Sequence, residues 1–390
     1  KLAANTLRRD VIDMLEKSKS GHPGGSLSAA DIVATLFFSG VMKYNHNNPE
    51  DHTEDRFFLS KGHVAPVLYA AYHLLDWLHD EDMVTLRQLG SRLQGHPDCH
   101  ACPGIEVCSG SLGQGLSVAA GCALGLSMDA LASGERAKKV FVLLGDGELQ
   151  EGSNWEACMF AAHQKLDNLI AIVDLNNLQI DGHVTDVCSL GDIDEKFRSF
   201  GWNVLRVNGH EVAEVRQALL AARDGREAGN TAPTVVICQT VKGKGVSFME
   251  DKASWHGNAP SAEQADLARE ELDAANKQLA DAREKAGQAQ TQLTEQSNKL
   301  NQLSTLLPKE ELETRRLELA EAQKQLDQQL VNIQTGESEL ATKQKELEKA
   351  KEDLKNIEQP NYHVYDRKTI PGGQGYLMYS NASASISAVG

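Results

Sequence analysis

An aspartate between two glycines, in the segment GDG at residues 145–147, is the first feature of this sequence that could do chemistry. It follows directly on an apolar run, VFVLL. A second polar cluster, Asn176 and Asn177, comes directly after the segment NLIAIVDL. A carboxylate and an amide oxygen suit a hard divalent cation, such as Mg²⁺ or Ca²⁺, that also holds a phosphate. Aspartate and glycine are also ordinary turn residues, so GDG alone would indicate only a polar turn.

The two polar clusters need a scaffold that brings them together. The run 140–144 is too short and too continuous for a surface helix, and it predicts a strand buried on both faces. Ser153 or Asn154 is predicted to cap a helix that runs through Trp155 to Leu166, and a second buried strand should end near Asp174. Such a strand–helix–strand unit has parallel strands, and open α/β sheets bind ligands at their carboxyl ends. The sequence therefore predicts an α/β fold with a doubly wound, mostly parallel sheet.

Composition limits the classes of partner. The formal charge of −16 over 390 residues argues against a nucleic-acid surface, which needs Lys and Arg. No apolar run is expected to approach a membrane span and no signal peptide is visible, so a cytoplasmic protein without a membrane role is predicted. Seven cysteines, an odd number, suit reduced thiols. Cys99 and Cys102 have C-x-x-C spacing beside His100 and Cys108, but no second C-x-x-C pair follows to complete a zinc site.

The chain changes character near residue 272. From Asp273 to Asn361 there is no aromatic residue, histidine or cysteine, and leucines recur in steps of three, four and seven. This spacing is typical of coiled coils and predicts a helical hairpin over 273–359, with a turn near 307–309. A parallel coiled coil between two chains is the rival arrangement. Residues 360–390 are predicted to be a short Gly/Ser-rich tail, part of an incomplete small fold.

Several segments make residues 1–272 resemble the N-terminal half of transketolases. They are SGHPGGSLSAADIVATLFF, FLSKGHVAPVLYA, GSLGQGLSVAAGCALG and VKGKGVSFMEDKASWHGNAP, together with GDGELQEG and the asparagine cluster. Transketolases transfer a two-carbon ketol unit from a ketose phosphate to an aldose phosphate, with the thiamin ring as electron sink. The resemblance implies thiamin diphosphate and Mg²⁺ as cofactors, with Ca²⁺ as the alternative metal, and sugar phosphates as substrates.

The same resemblance assigns roles to matching positions. Asp146, Asn176 and the carbonyl of Leu178 would be the metal ligands. Glu151 matches a carboxylate at the subunit contact, although it could equally be a first-turn carboxylate favoured by a helix dipole. Histidines suit proton transfer near neutral pH, whereas a single loop histidine is ordinarily solvated or capping. The matching active-site histidines are His22, His63, His96 and His256, and the matching cofactor-binding residues are Gly113, Gly115, Gly145, Asp146, Gly147 and Asn176.

In this family the cofactor lies between the N-terminal domain and a second domain, which supplies the glutamate that activates it. No α/β sequence for that domain follows residue 272. We therefore predict the N-terminal subunit of a split transketolase, completed in a homo- or hetero-oligomer by a C-terminal, pyrimidine-domain subunit. Two alternatives remain open. The α/β domain could be catalytically silent on a coiled-coil scaffold, or the chain could be a chimera, since residues 273–390 resemble the extracytoplasmic coiled-coil insertion of bacterial ABC transporter permeases.

Overall fold

The computed structural model describes residues 1–225, 229–303, 313–318, 320–321 and 323–324. Short 3₁₀ turns cover Gly62–Val64, Gly147–Gln150 and Ala253–Trp255. The helices are α1 Leu2–Ser18, α2 Pro23–Phe38, α3 Ala65–Leu74, α4 Asp80–Met83, α5 Gly115–Ser133, α6 Gly152–His163, α7 Val184–Cys188, α8 Ile193–Ser199, α9 Val212–Asp224 and α10 Ala262–Leu303. The strands are β1 Arg56–Leu59, β2 Val140–Gly145, β3 Leu169–Leu175, β4 Leu178–Gln179, β5 Gly182–His183, β6 Asn203–Asn208 and β7 Thr234–Gln239.

Five strands form one sheet in the order β1-β2-β3-β7-β6, and every neighbouring pair is parallel. Strands β4 and β5 form a separate antiparallel pair. The predicted α/β class with a parallel sheet is confirmed. The two strands predicted around GDG and the asparagines are β2 and β3, and they lie side by side in the register Gly145 to Asp174.

Apolar residues cover both faces of the sheet. Along β2, Phe141 and Leu143 pack into the core formed with α1, α2, α3, α9 and the start of α10. Val142 and Leu144, which point the other way, pack into a second core with α5, α6 and α8. The continuous apolar run of β2 therefore arises because both of its faces are buried, as in other doubly wound sheets.

The helix after GDG begins earlier than the sequence predicts. Glu151 is the N-cap of α6, so Ser153 and Asn154 lie in the first turn and cap nothing. Their side chains instead bond elsewhere: Ser153 Oγ donates to the carbonyl of Gly113 (3.0 Å), and Asn154 Nδ2 donates to the carbonyl of Glu148 (2.7 Å). The predicted cap was wrong because the helix already begins at Gly152, and both side chains bond to backbone carbonyls outside the helix.

Helix α5 corrects a second expectation. It is long and apolar enough to cross a membrane by length and composition alone, whereas the sequence reading expects no run of that kind. Leu116, Ala119, Ala120 and Ala123 bury one side of α5 in the second core. This helix therefore forms part of the layer that covers the sheet.

Helix α10 runs without a break across residue 272, where the domain boundary is predicted. Leu272 is buried in the core, and Arg269 fixes the helix to α1 through Asp13 (2.6 Å) and Glu16 (2.9 Å). Farther along, the side chains of Gln290 and Gln323 exchange two hydrogen bonds. The turn predicted near 307–309 and the tail 360–390 lie outside the described residues, so the hairpin and the domain limits stay predictions.

Candidate active site

The two polar clusters meet at the carboxyl edge of the sheet. Asp146 follows the last residue of β2, and Asn176 follows the last residue of β3; both side chains are buried. Asp146 Oδ2 accepts a hydrogen bond directly from the backbone N–H of Asn177. Asn177 has a left-handed backbone (φ 58°), which turns the chain so that the carbonyl of Leu178 comes next. The parallel strand–helix–strand unit thus brings Asp146 against the turn that carries Asn176 and Leu178.

This oxygen set fits a hard divalent cation. The donors are a carboxylate, an amide and a backbone carbonyl, which are the ligand types that Mg²⁺ and Ca²⁺ take in proteins. Asp146 also accepts from the backbone N–H of Gly147 (2.7 Å). Burial, together with the nearby charge of Asp174, raises the pKa of Asp146 to about 6. A bound cation would favour the charged carboxylate that burial disfavours.

Lys61 and Asp174 form a buried ion pair next to the oxygen set, and sequence analysis did not predict it. Lys61 Nζ lies 2.5 Å from Asp174 Oδ2, and both side chains are almost fully buried. Ser28 and Thr240 also donate to this carboxylate. Burial alone would raise the pKa of Asp174, but the ammonium of Lys61 and these donors hold it below its usual value. Asp174 therefore remains charged and fixes Lys61, whose positive charge also acts on Asp146.

Glu148 is a second buried anchor that sequence analysis missed. Its carboxylate accepts from Ser60 Oγ and from the backbone N–H groups of Gly113 (2.9 Å) and Gly145 (3.0 Å). It thereby ties the predicted cofactor loop GSLGQG to the GDG turn. Burial raises the pKa of Glu148 despite these donors. The GDGE segment alone does not predict that the Glu148 side chain is buried.

The glycines of GSLGQG and GDG permit close contacts at this edge. Gly113 has φ +86°, and a Cβ there would overlap the side chains of Glu151 and Ser153. A Cβ at Gly115 would overlap Ser60, and one at Gly147 would lie 3.2 Å from the Cβ of Gln179. Gly113 and Gly115 are thus needed for close packing of the loop against its neighbours. Their role in cofactor binding remains a prediction.

The four predicted histidines come together. The ring centroid of His22 lies 5.2 Å from that of His63, 6.4 Å from His96 and 5.5 Å from His256, and His63 stacks on His256 at 5.3 Å. Four separate loops supply them: the start of α2, the turn after β1, the loop after α4 and the turn before α10. Residues distant in sequence thus form one cluster, named here the histidine cluster.

All four histidines are held in the neutral form near pH 7. Burial is the largest cause, and it lowers the pKa of His22 to about 4 and that of His256 to about 3. Burial and then the charge of Lys61 lower the pKa of His63 well below its usual value, and burial and Arg87 lower that of His96. A neutral imidazole accepts a hydrogen bond at one ring nitrogen and donates one at the other, so each ring can bond a hydroxyl group.

Lys242 joins the histidine cluster to the oxygen set. Its buried Nζ donates to the carbonyl of Leu178 (2.8 Å) and lies 2.8 Å from His256 Nδ1. Burial and then the charge of Lys61 lower the pKa of Lys242 to about 8. The two halves of the candidate site are therefore one connected structure with a positive charge at its centre.

Arg87 and Glu151 lie at the edge of the candidate site. Arg87 was missed from sequence, although its guanidinium approaches His22 Nδ1 (3.4 Å) and donates to Ser20 (3.0 Å). Glu151, by contrast, is exposed at the N-cap of α6, beside Gly113. Its position fits the helix-terminal role considered above, and its predicted place at a subunit contact remains untested.

Acid is expected to destabilise the free chain through the histidine cluster. Because the folded pKa values of His22 and His256 lie below 6.5, stability is complete above pH 6.5 and is lost as the pH falls toward 4. Between about pH 7.5 and about 5.5, each should cost roughly 1 kcal/mol of unfolding free energy after allowance for solvent screening. Urea unfolding of a His22→Gln/His256→Gln double variant measures this loss.

The exposed His183 provides the control, since His183→Gln makes the same substitution outside the histidine cluster. Asp146 acts with the opposite sign in the same window, because its raised pKa gives stability that appears as the pH falls. Only the difference between variant and parent isolates the histidines. An identical pH dependence in the double variant and the parent would contradict neutral histidines in the folded state.

Comparison with known proteins agrees with this geometry. Residues 1–331 match the model of the family described as "Transketolase, thiamine diphosphate binding domain". The chain is 40% identical over 265 residues to one subunit of the apulose-4-phosphate transketolase of Phocaeicola vulgatus, and the match covers 68% of this chain and 90% of that protein. It is 39% identical over 270 residues to the 6-deoxy-6-sulfo-D-fructose transketolase subunit SqwG of a Clostridium species, covering 69% of this chain and 94% of that one.

Solved structures point to the same fold. The transketolase of Campylobacter jejuni superposes with a TM-score of 0.64 at 36% identity and covers 70% of this chain. This chain spans only 42% of that protein. The resemblance of residues 273–390 to a permease insertion finds no support, because the family match continues to residue 331.

Proposed function

This chain belongs to the transketolase family as a thiamine diphosphate-binding subunit, and we propose that the oxygen set and the histidine cluster form its half of the active site. One observation carries the proposal: Lys242 Nζ contacts both the carbonyl of Leu178 and the ring of His256. A metal and phosphate site and a proton-transfer site therefore share one buried cation. In a fold with merely polar turns at the sheet edge, no such connection would be needed.

We assign the diphosphate end of the cofactor to the carboxyl edge of the sheet. Asp146, Asn176 and the carbonyl of Leu178 would hold Mg²⁺, with Ca²⁺ as the alternative. Lys242 adds positive charge beside them, and a phosphate would stabilise its charged form against burial. The glycines Gly113, Gly115 and Gly147 let the loops at this edge pack closely on one another, which would hold them in place around the diphosphate.

When bound, thiamin diphosphate supplies the electron sink that allows a carbon–carbon bond beside a carbonyl to break. The chain itself would supply proton transfer and orientation. His22, His63, His96 and His256 are neutral, so each can accept a proton from a hydroxyl or donate a hydrogen bond to one. His63 is enclosed between His22 and His256, whereas His96 is exposed at the open side of the cluster. This arrangement favours His96 as the group that meets substrate.

The substrate class proposed here is a ketose donor and an aldose acceptor bearing an anionic group. The two subunit relatives are named for apulose 4-phosphate and for 6-deoxy-6-sulfofructose, both sugars with an acidic substituent. Arg87, which faces His22 and His96 in the open side of the cluster, offers a cation for the substrate end of the site.

Replacement of Asp146 tests the metal half of the proposal. The Asp146→Ala variant should weaken Mg²⁺-dependent binding of thiamin diphosphate by at least about 100-fold, because a charged metal ligand is lost from a buried site. Isothermal titration of thiamin diphosphate into the chain, with Mg²⁺ and then with EDTA, measures the affinity. Asp181→Ala, at an exposed turn carboxylate between β4 and β5, is the matched control and should bind like the parent.

Failure has two distinguishable forms in this experiment. Equal binding by the parent and the Asp146→Ala variant would remove Asp146 from the site while leaving cofactor binding intact. No binding by the parent chain would be decisive only after the partner subunit is present, since half a site binds weakly. If binding stays absent in that complex, the α/β domain is catalytically silent.

A further inference from the structure

A cluster of two cysteines and a histidine lies in the loop after His96, outside the site described above. Cys99 Sγ and Cys108 Sγ are 3.3 Å apart, and a ring nitrogen of His100 lies within 4.8 Å of both. Cys99 is half-buried, while His100 and Cys108 are exposed. These three residues are named here the thiol cluster. The proposed transketolase function uses none of them.

The backbone of the loop brings the thiol cluster together. The N–H of Ser109 donates to the carbonyl of Pro97 (3.1 Å), which closes the loop at its base and places Cys108 opposite Cys99. Asp98 Oδ1 accepts from the N–H of His100 (2.9 Å), so the histidine is turned in the same direction. The same oxygen lies 3.3 Å from Cys108 Sγ. The arrangement therefore rests on hydrogen bonds of the loop and not on chance contact between exposed side chains.

The sequence pattern indicates a different pair. C-x-x-C spacing joins Cys99 with Cys102, but Cys102 is 1% exposed and its Sγ points to the carbonyl of Pro103. Cys102 is therefore closed off from a cation that arrives from solvent. Cys108, which lies outside the C-x-x-C pattern, contacts Cys99 instead, because the loop folds back at Ser109.

We propose that the thiol cluster is a binding site for a thiophilic divalent cation of the Zn²⁺ type. Cys99 and Cys108 would bind as thiolates after each releases a proton to solvent, and His100 would bind as neutral imidazole. The Asp98 carboxylate or a water molecule would supply the fourth ligand. Two thiolates and an imidazole select zinc-like cations over Mg²⁺ and Ca²⁺, so this site and the oxygen set would take different metals.

The sulfur separation favours a metal over a direct bond. Two thiolates on a tetrahedral Zn²⁺ are about 3.8 Å apart, given a Zn–S length of about 2.3 Å. The observed 3.3 Å requires the sulfurs to part by only about 0.5 Å. A disulfide would require them to approach by more than about 1 Å, to roughly 2.05 Å. A disulfide is thus the alternative that the test must separate.

A cation bound at the thiol cluster would affect the position of His96 in the candidate active site. The loop that carries it begins directly after His96 and ends directly before Gly110, and a Cβ at Gly110 would lie only 3.0 Å from the His96 ring. A cation that bridges Cys99 and Cys108 would hold the two ends of this loop at fixed positions. The bound metal would therefore restrict the movement of His96 without touching the substrate.

Cobalt(II) is the probe for this site, because thiolate–cobalt bonds absorb in the near ultraviolet. The reduced full-length chain, with excess Mg²⁺ to fill the oxygen set, should gain this absorption at one equivalent of Co²⁺ and lose it when Zn²⁺ is added. Cys99→Ser and Cys108→Ser should abolish the band, and His100→Ala should weaken Co²⁺ affinity by at least about tenfold. Cys102→Ser is the matched control and should leave the band unchanged.

Protection from alkylation gives a second readout in the unmodified chain. Zn²⁺ should slow the alkylation of Cys99 and Cys108 by at least about tenfold while leaving the exposed Cys188 unaffected. The proposal is overturned if the reduced chain shows no thiolate band, or if the band persists in Cys99→Ser. It is equally overturned if Zn²⁺ protects neither thiol and oxidised glutathione converts the pair to a disulfide at the same rate with and without Zn²⁺.

Discussion

The isolated chain is expected to catalyse no measurable ketol transfer, and a pyrimidine-domain subunit should raise its turnover by at least about 1,000-fold. The relatives that this chain covers to 90% and 94% are each named as one subunit of a transketolase. In contrast, the chain spans only 42% of the transketolase from Campylobacter jejuni. The split-subunit proposal therefore assigns the group that activates the cofactor to a partner subunit.

The surface beside the candidate site supports such a partner. Leu112, Val118, Met159 and Phe160 are exposed apolar side chains on the glycine loop, α5 and α6. Exposed apolar side chains of this kind are candidates for a surface that another subunit covers. The partner would bury these side chains and bring its own residues over the histidine cluster in one step.

Titration of a relative's C-terminal subunit into the chain, with thiamin diphosphate, Mg²⁺ and a ketose phosphate, measures the gain in a coupled assay. A Met159→Glu variant should need at least about tenfold more partner for half-maximal rate, since a charge would be buried in the contact. Leu89→Glu, at a fully exposed leucine elsewhere, is the matched control. Turnover by the chain alone at the rate of the mixture would contradict the split-subunit assignment.

The sequence predicted those parts of the fold that depend on local pattern. The strands β2 and β3 follow from their apolar runs, and their parallel pairing places Asp146 near Asn176. The predicted cap of α6 failed because Ser153 bonds to Gly113 in the glycine loop, while Asn154 bonds to Glu148 in the turn before the helix. A local signal cannot show when a tertiary contact takes the same side chain.

The buried ionic groups of the site could not be predicted for a related reason. Lys61 and Asp174 are 113 positions apart, and Ser60 and Glu148 are 88 apart. Each residue taken singly has the character of a surface residue, and only the fold pairs them. The four histidines were found from family motifs, but their neutral state depends on burial and on the charges of Lys61, Arg87 and Lys242, which only the structure places.

The partner of Cys99 is another case in which a local sequence pattern differs from the contact that the fold makes, here within a single loop. C-x-x-C spacing is a local pattern, and it indicates a pair that the loop does not form. The bond from Ser109 to Pro97 reverses the chain and brings Cys108 to Cys99 across nine positions. Spacing predicts contact only where the backbone between the residues is regular, as it is in helices and strands.

Replacement of His96 should have the largest effect among single substitutions in the histidine cluster. We expect His96→Ala to lower kcat/KM of the complex with the partner by about 10²–10⁴, the usual contribution of a proton-transfer residue. His96 is exposed, and within the described part of the chain its ring nitrogens have no hydrogen-bond partner. They are therefore free to bond a substrate hydroxyl, and the lowered pKa keeps the ring neutral at pH 7.

A second variant separates proton transfer from simple binding. His96→Gln retains a side chain that can bond a hydroxyl but cannot exchange a proton near pH 7, so its KM should stay near that of the parent while kcat falls as in His96→Ala. Affinity for thiamin diphosphate should change little in either variant, and the exposed His183→Ala is the control. If His96→Gln instead restores kcat, then His96 only orients the substrate, and proton transfer must pass to His22, the histidine whose ring lies 6.4 Å from it.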